Sequence, residues 1–186
     1  MKPAQILLAL VVLCTVPPVH AAQWTMDPHS SELGFSVAFE GTPARGVFRS
    51  FELSMEFTSA KPAASRIEVT IAVASADMRS APMNDAIRGP DWFDATRFPV
   101  AEFHSLNVRP TGQDRYLAIG TLQVKGVTRL VELPFEWRSD GAAAVVDGNL
   151  TLQRAAFGIG SGDWVSSNVI GPEVKVHFSV SLRKVG

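Results

Sequence analysis

The feature that most constrains the fold of this chain is the strict alternation of apolar and polar residues near its C-terminus. In residues 174–182 every second residue is apolar, and the residues between them are Lys175, His177, Ser179 and Ser181. Successive side chains of a β-strand point to opposite faces of a sheet, so this pattern buries one face and exposes the other. A helix would mix the two sets of residues on each of its faces. The segment therefore predicts an amphipathic β-strand.

Similar strand patterns recur along the chain. Turn residues such as Asp140-Gly141 separate the segments, and no long helical pattern alternates with them, so a βαβ architecture is excluded. About eight evenly spaced strands predict an all-β, antiparallel fold, either a sandwich or a closed barrel. A barrel of this size either holds a small ligand or fills with side chains. The seven further predicted strands are residues 33–39, 51–57, 67–73, 100–109, 115–124, 128–138 and 143–153.

Residues 80–105 interrupt the strand pattern. Pro82 suits the first turn of a helix, because a missing backbone donor costs nothing there, and Gly89-Pro90 ends that turn. Aromatic side chains follow closely, including Trp92, Phe93 and Phe98. The sequence predicts a short helical insertion after the third strand. It is interpreted either as a plug or lid over an apolar interior or as a plain helix that caps the core.

Several motifs along the chain, taken together and in order, resemble the YceI-like family of periplasmic, lipocalin-like, polyisoprenoid-binding proteins. The central ones are the D-W-F-D of residues 91–94, Phe98-Pro99 and the F-H-S of residues 103–105. One departure is residues 83–87, which read M-N-D-A-I where the family often carries R-D-E-H-L. The supporting motifs are D-P-H-S at 27–30, G-F-S at 34–36, G-V-F at 46–48, G-T-L at 120–122, K-G-V-T at 125–128 and R-A-A-F-G at 154–158.

The resemblance implies a lipocalin-like barrel with an elongated apolar cavity. Its ligand would be a long isoprenoid lipid, either a polyprenyl phosphate or an isoprenoid quinone. The apolar strand faces and the aromatic pair supply the candidate lining residues. These are Phe35, Val37, Phe39, Phe51, Leu53, Trp92, Phe93, Phe103 and Phe178. All of them have an alternative role as ordinary filled core.

Arg154 is the candidate polar residue of the predicted site, because it ends a strand near the expected cavity mouth. Its planar guanidinium could hold a phosphate or a quinone oxygen. Alternatively, it pairs with a carboxylate such as Asp91 or Asp94 and closes the rim. Arg45, Arg79 and Arg88 are weaker candidates of the same kind.

The N-terminus has the features of a secretory signal. Lys2 precedes an apolar run at residues 6–16, and V-H-A at 19–21 suits a cleavage site. The run is too short to span a membrane. We therefore expect a signal peptide at 1–21, a single domain at 22–186 and export, and the family resemblance implies a periplasmic location. Cys14 is the only cysteine and lies in the signal, so the mature protein would contain no disulfide.

Charge argues against some partners. Without Lys2 the chain has 16 basic and 18 acidic residues, a net charge of −2, with no basic stripe. Nucleic acid and anionic membrane surfaces are therefore not expected partners. The distinctive property is apolar bulk, since 46% of the residues are hydrophobic and 11 are Phe.

The residues do not form a recognisable catalytic or metal-binding motif. Asp27, His29 and Ser30 are of the types found in hydrolases, but neighbours along a strand point to opposite faces. His104 and His177 lack the short spacing of metal ligands and fall on the polar faces of their strands. The glycine-rich residues 158–162 match neither a dinucleotide fingerprint nor a nucleophile elbow, and we interpret them as a rim loop.

These observations predict an exported, non-enzymatic binding or carrier protein for an isoprenoid lipid, without a cofactor. Two other functions remain open: a structural or stress-response protein with a filled barrel, and an enzyme that modifies a bound lipid on the same scaffold. Family context adds transient contact with a membrane or a membrane oxidoreductase as an expected partner, and a homodimer as one oligomeric state.

Overall fold

The computed structural model describes residues 21–166 and 168–185, so the predicted signal peptide lies, apart from Ala21, outside the described residues. The described residues form eleven strands, several short 3-10 turns and one α-helix, α1 (Ala81–Arg88). The strands are β1 (Ala22–Met26), β2 (Glu32–Phe39), β3 (Thr42–Phe48), β4 (Phe51–Phe57), β5 (Arg66–Ala72), β6 (Ala76–Asp77), β7 (Val100–Gly112), β8 (Arg115–Val124), β9 (Val127–Asp140), β10 (Ala143–Gln153) and β11 (Ile170–Lys184).

Eight of these strands close into an antiparallel barrel. The hydrogen-bonded order is β1-β4-β5-β7-β8-β9-β10-β11, and β11 pairs back with β1. Because the sheet is closed, each of the eight strands has a hydrogen-bonded neighbour on both sides. The predicted all-β, antiparallel, eight-stranded barrel is confirmed, and the sandwich alternative is excluded.

One predicted strand has a different place in the barrel. Strand β11 is 15 residues long and pairs with two strands on the same side. It pairs with β2 along residues 170–179 and with β1 near the C-terminal end of β11, where Met26 faces Leu182. Strand β2 continues into β3 and β6 as a branch of the sheet. The barrel is therefore closed by β1, which the sequence did not predict, rather than by β2.

Three strands were missed because their sequence signals are weak. Strands β1 and β6 have only five and two residues, and β3 contains Pro43 and Gly46, both unfavourable in strands. The predicted helix follows the third predicted strand, as expected. In the structure that strand is β5, the fifth in the chain, and β6 lies between it and α1. A further difference is at Pro110: the predicted strand ends at residue 109, whereas β7 continues through Pro110, beside a register shift. A bulge tolerates a residue without an N–H donor.

Aromatic rings close one end of the barrel, and we call them the floor cluster: Trp24, Phe57, Tyr116, Phe135 and Trp137. The ring centroids of Phe57 and Trp137 are 4.5 Å apart, and those of Trp24 and Trp137 are 4.9 Å apart. All five side chains are buried. Burial, aided by the charge of Asp114, raises the pKa of Tyr116. The floor cluster thus seals this end without a polar opening.

Residues 81–99 cover the opposite end, and we call them the mouth cover. It contains α1, whose Ile87 packs with Phe35 and Ala76, followed by tight turns at residues 91–97. Ser80 is the N-cap residue of α1, and its side chain makes no capping hydrogen bond. In the part of the chain that the structure describes, no helix has the length and apolar character needed to cross a bilayer.

Candidate functional site

An apolar cavity of about 180 Å³ lies inside the barrel, between the floor cluster and the mouth cover. Every residue that lines it is apolar, and the lining comes from strands all round the barrel and from the mouth cover. Such a wall offers no hydrogen-bond partner, so a polar group brought into it would lose its hydration without compensation. The cavity is therefore suited to hydrocarbon.

Some of the predicted lining residues line the cavity in the structure, and others do not. Val37, Phe39, Trp92 and Arg154 do not line the cavity. Phe39 lies at the tip of β2, opposite Ile170 and beyond the closed part of the barrel. Six predicted residues do line it: Phe35, Phe51, Leu53, Phe93, Phe103 and Phe178.

The sequence analysis missed several lining residues. Phe48 was hidden because β3 was not predicted, and Phe157 and Ile159 because residues 154–160 carry no strand pattern. Phe135 and Met55 were visible as apolar members of predicted strands. Nothing in one sequence, however, distinguishes a residue beside the cavity from one packed in the solid core below it.

Glycines on neighbouring strands help to keep the cavity open. Phe178 faces Gly148 across the β10–β11 pair, and a Cβ built on that glycine would collide with the Phe178 ring. Phe35 and Gly46 have the same relation across β2 and β3. Without a side chain opposite, each ring lies against the backbone of the neighbouring strand. The two phenylalanines therefore contribute apolar surface to the cavity and leave its centre free.

The exposure of the lining residues shows that the interior is not filled. Phe51, Leu53, Val69 and Ile71 point into the barrel, yet each keeps part of its surface accessible. A close-packed core would bury such side chains completely. The filled-barrel interpretation of the strand faces is therefore wrong for the middle of this barrel, although it holds for the floor cluster.

Hydrogen bonds fasten the mouth cover to residues 158–166, which extend the predicted loop of residues 158–162 and which we call the rim loop from here on. The carbonyl oxygen of Asp91 accepts hydrogen bonds from the amides of Gly160 and Ser161 at 2.8 and 2.9 Å. The Ser161 hydroxyl donates to Asp91 Oδ1 at 3.0 Å. The rings of Trp92 and Trp164 pack at 5.7 Å between centroids. Trp92 thus joins the cover to the loop, while the adjacent Phe93 faces the cavity.

Arg154 is buried, with 4% of its surface exposed, and its guanidinium binds only main-chain carbonyl groups among the described residues. It pairs with neither Asp91 nor Asp94, so the predicted carboxylate contact is wrong, and all of its N–H directions are already taken. Burial lowers the pKa of Arg154. Its acceptors are the carbonyl oxygens of Ile159 and Gly160 (both 3.0 Å), Trp164 (2.8 Å), Val165 (3.5 Å), Ile170 (3.1 Å) and Gly171 (3.0 Å).

The polar candidates that we considered for catalysis are dispersed on the outer surface. Asp27 accepts a hydrogen bond from the His29 amide and pairs with Arg183 at 3.3 Å, so its carboxylate does not orient the imidazole. His177 lies outside the barrel, 3.3 Å from Glu32. Within residues 21–166 and 168–185, no group of three metal-ligating side chains is placed to hold an ion.

Comparison with known proteins identifies the family. A sequence model of the YceI-like domain matches residues 24–182, which is most of the chain. This chain belongs to the YceI-like domain family. The family assignment predicted from the ordered motifs is confirmed, and the match includes residues of every barrel strand.

Relatives of known sequence or structure agree with the YceI-like assignment. A UPF0312 protein of Azotobacter vinelandii is 33% identical over 135 residues, 69% of this chain and 67% of that protein. The crystal structure of Burkholderia cenocepacia BcnA is 33% identical, with a TM-score of 0.82 over 84% of this chain and 98% of that one. A polyisoprenoid binding domain from Saccharophagus degradans shares the fold at 18% identity, with a TM-score of 0.68 over 89% of this chain and all of that domain.

Proposed function

We propose that this YceI-like protein binds an isoprenoid lipid, a polyprenyl phosphate or an isoprenoid quinone, with the hydrocarbon chain inside the barrel. The observation that carries the proposal is the cavity wall, which is apolar at every lining residue. The Saccharophagus degradans domain of the same fold is described as polyisoprenoid binding, which supports this choice of ligand. We further propose that the protein acts as an exported carrier and not as an enzyme.

The energetics favour a long apolar chain. Burying one CH₂ group contributes about 0.8 kcal/mol, so every carbon that the cavity takes in adds to the gross driving force. Loss of translational freedom and ordering of the flexible chain offset much of it. Affinity can then arise from the hydrocarbon alone, without a strong polar contact.

The polar head group belongs at the mouth end. The cavity offers it no partner, and the floor cluster seals the other end. A ligand that enters tail first leaves its head among the mouth cover and the rim loop. Arg154 does not serve as the head-group ligand in this arrangement, because its donors already bind carbonyl groups.

Uptake of a fluorescent prenyl analogue tests the proposal. Val176 lines the cavity, so Val176→Phe adds bulk to the lipid space and should reduce uptake at least tenfold while the delipidated protein still folds. His177→Phe places a ring one residue further along β11 on the outer face, and it should leave uptake unchanged.

Thermal melting of both variants separates folding from binding. Wild-type protein that takes up no analogue would overturn the proposed function and favour a structural role. Turnover of the analogue would overturn the proposal that the protein is not an enzyme. A folded Val176→Phe protein with normal uptake would show that lipid does not occupy this part of the barrel.

A further inference from the structure

The wall between β9 and β10 is hydrogen-bonded along only part of its length. These two strands pair from their shared turn as far as Phe135 and Gly148, and the pairing stops there. Toward the mouth, residues 127–134 of β9 pair only with β8, and residues 149–153 of β10 pair only with β11. We call the gap between these two segments the side slot. It lies in the mouth half of the barrel.

Pro134 explains why the pairing stops. In an antiparallel strand, the backbone groups of alternate residues face alternate neighbours. The Trp137 amide donates to the carbonyl of Asp114, next to β8, at 2.8 Å, so the backbone groups of Pro134 face β10, and its carbonyl does point toward Gly148. Pro134 is therefore the residue whose N–H would bond to Asn149, and proline has no such donor. The ladder loses its next bond at this position, and the strands separate.

The side slot opens into the apolar cavity. Leu133 on β9 and Leu150 and Leu152 on β10 flank it on the inside, and all three line the cavity and are partly exposed. On the outside, Glu132 and Thr151 are exposed, so the described residues leave the slot uncovered at these positions. The backbone groups along its two edges have no strand partner and therefore need water. The side slot thus connects solvent with the hydrocarbon-like interior.

The side slot is closed at its upper end. Arg129 Nε on β9 donates to the Ala156 carbonyl at 3.2 Å, and Lys125 Nζ donates to the Gly158 carbonyl at 2.8 Å. These bonds join the start of β9 to the residues that follow β10. The wall also branches where β11 pairs with β2 as well as with β1, but there α1 packs on β2 and β6. The side slot is therefore a bounded window in the barrel wall.

We propose that the side slot is the passage through which the hydrocarbon chain of the lipid enters and leaves the cavity. This inference rests on the proposed function and adds a route to it. Leucine side chains flank the passage, so the chain exchanges water for apolar surface as it moves inward. The mouth cover then stays fastened to the rim loop during exchange. The head group comes to lie beside the rim loop, which follows the upper end of the slot.

A covalent bridge across the side slot tests this route. Glu132→Cys with Thr151→Cys places one thiol on each side, and a short bis-maleimide joins them; the predicted mature chain has no other cysteine. The bridge should slow both uptake and release of the fluorescent prenyl analogue by about tenfold or more. The equilibrium affinity should stay unchanged, because an obstructed passage slows both directions equally.

Two further bridges locate the effect. Lys175 faces Thr151 across the hydrogen-bonded β10–β11 pair, so Thr151→Cys with Lys175→Cys is the matched control and should leave both rates unchanged. Asp91→Cys with Ser161→Cys joins the mouth cover to the rim loop at a place where the side-chain oxygens are 3.0 Å apart. This mouth bridge should also leave both rates unchanged.

One variant and one exchange measurement need no bridge. Pro134→Thr restores the missing donor, so it should extend the β9–β10 pairing and slow uptake. In the wild-type protein, the amides of Glu132 and Thr151 should exchange with deuterium faster than those of Glu136 and Asp147, which face each other in the paired part of the wall. Equal exchange at the two places would mean that the slot is closed, and the inference would be wrong.

The outcomes separate the route from the function. If the unbridged protein takes up no analogue, the proposed function fails and the route fails with it. If the mouth bridge slows uptake and the slot bridge does not, or if all three bridges slow it equally, lipid binding stands and the route is wrong. Slower exchange of the analogue with the slot bridge and with Pro134→Thr, without an effect of the other two bridges, supports the proposal.

Discussion

At the scale of single residues, Arg154 shows how a buried charge is accommodated without a counter-ion. Its guanidinium binds main-chain carbonyl groups of residues 159–160, 164–165 and 170–171. A planar group with five N–H donors suits this task, whereas a lysine ammonium has three donors at a single point. Gly160 has φ of +74°, and a Cβ there would collide with the guanidinium. The rim loop is therefore shaped around Arg154.

Arg154→Lys should loosen the rim loop and lower the free energy of unfolding by about 2–4 kcal/mol, because several buried carbonyl groups lose their partner. Urea denaturation measures the change, and hydrogen exchange of the amides in residues 158–166 locates it. Arg129→Lys is the control, since Arg129 is exposed and donates only to the Ala156 carbonyl among the described residues; it should cost less than about 1 kcal/mol. Unchanged stability together with lost lipid binding would instead make Arg154 a head-group ligand.

At the scale of elements, the mouth cover is attached at both of its ends. Asp91 and Ser161 fasten its later turns to the rim loop. At its start, Asp77 accepts hydrogen bonds from Arg49 at 2.8 Å and from Asn84 at 3.0 Å. Arg49 follows β3 and Asn84 lies in α1, so one carboxylate joins the branch of the sheet to the helix. This fixes α1 so that its Ile87 packs on Phe35 and Ala76.

Protonation of Asp77 should release the start of the mouth cover. Hydrogen bonds from Arg49, from Asn84 and from the Arg79 amide hold the pKa of Asp77 well below its ordinary range. Since an unfolded Asp titrates near 3.9, the carboxylate stabilises the fold fully above about pH 5, and the contribution falls as the pH drops toward the folded-state pKa.

The urea midpoint of wild-type protein should therefore exceed that of Asp77→Asn at pH 7, and the difference should shrink by pH 3. Asp85→Asn is the control on the same helix, since Asp85 is exposed and has no hydrogen-bonded side-chain partner among the described residues. A difference between wild type and Asp77→Asn that is equal at both pH values would contradict the assigned role of the carboxylate.

At the scale of the whole molecule, the barrel divides into a solid half and an open half. The floor cluster packs aromatic rings at centroid distances of 4.5–6.0 Å and carries much of the buried core. The mouth half is less tightly packed because it surrounds the cavity. Hydrogen bonds, including those of Arg154, hold it together. The floor half is therefore the more tightly packed part of the barrel. The predicted mature chain contains no cysteine, so no disulfide would add to these contacts.

Export remains a prediction at this scale. Intact-mass analysis of the protein from the cell envelope should show a chain that starts at Ala22, or within one or two residues of it, because V-H-A at 19–21 suits the signal peptidase. A full-length species in the cytoplasm as the main form would contradict it. Purification from the envelope fraction of an Ala21→Tyr variant is the matched control, since a bulky residue at the cleavage site should slow processing.

The sequence alone determined the fold class, the strand faces and the family. Alternation in segments such as residues 174–182 has a direct physical consequence, since it places Val176 and Phe178 on the inside and His177 on the outside wherever the strand pairs. The ordered motifs at residues 91–94 and 154–158 identified the YceI-like family. The helical insertion was also visible, because Pro82 and Gly89-Pro90 act through local backbone geometry.

Only the tertiary structure decided which apolar residues surround a cavity and which fill a core. Phe178 lies flat because Gly148 faces it on another strand, and that pairing depends on register between segments far apart in the chain. Phe135 became the cavity floor because Tyr116 and Phe57 back it from other strands. Arg154 binds carbonyl groups of the rim loop, and no local sequence pattern predicts the path of that loop. Strand alternation fixes the face of a side chain, whereas the space in front of it depends on its neighbours across the barrel.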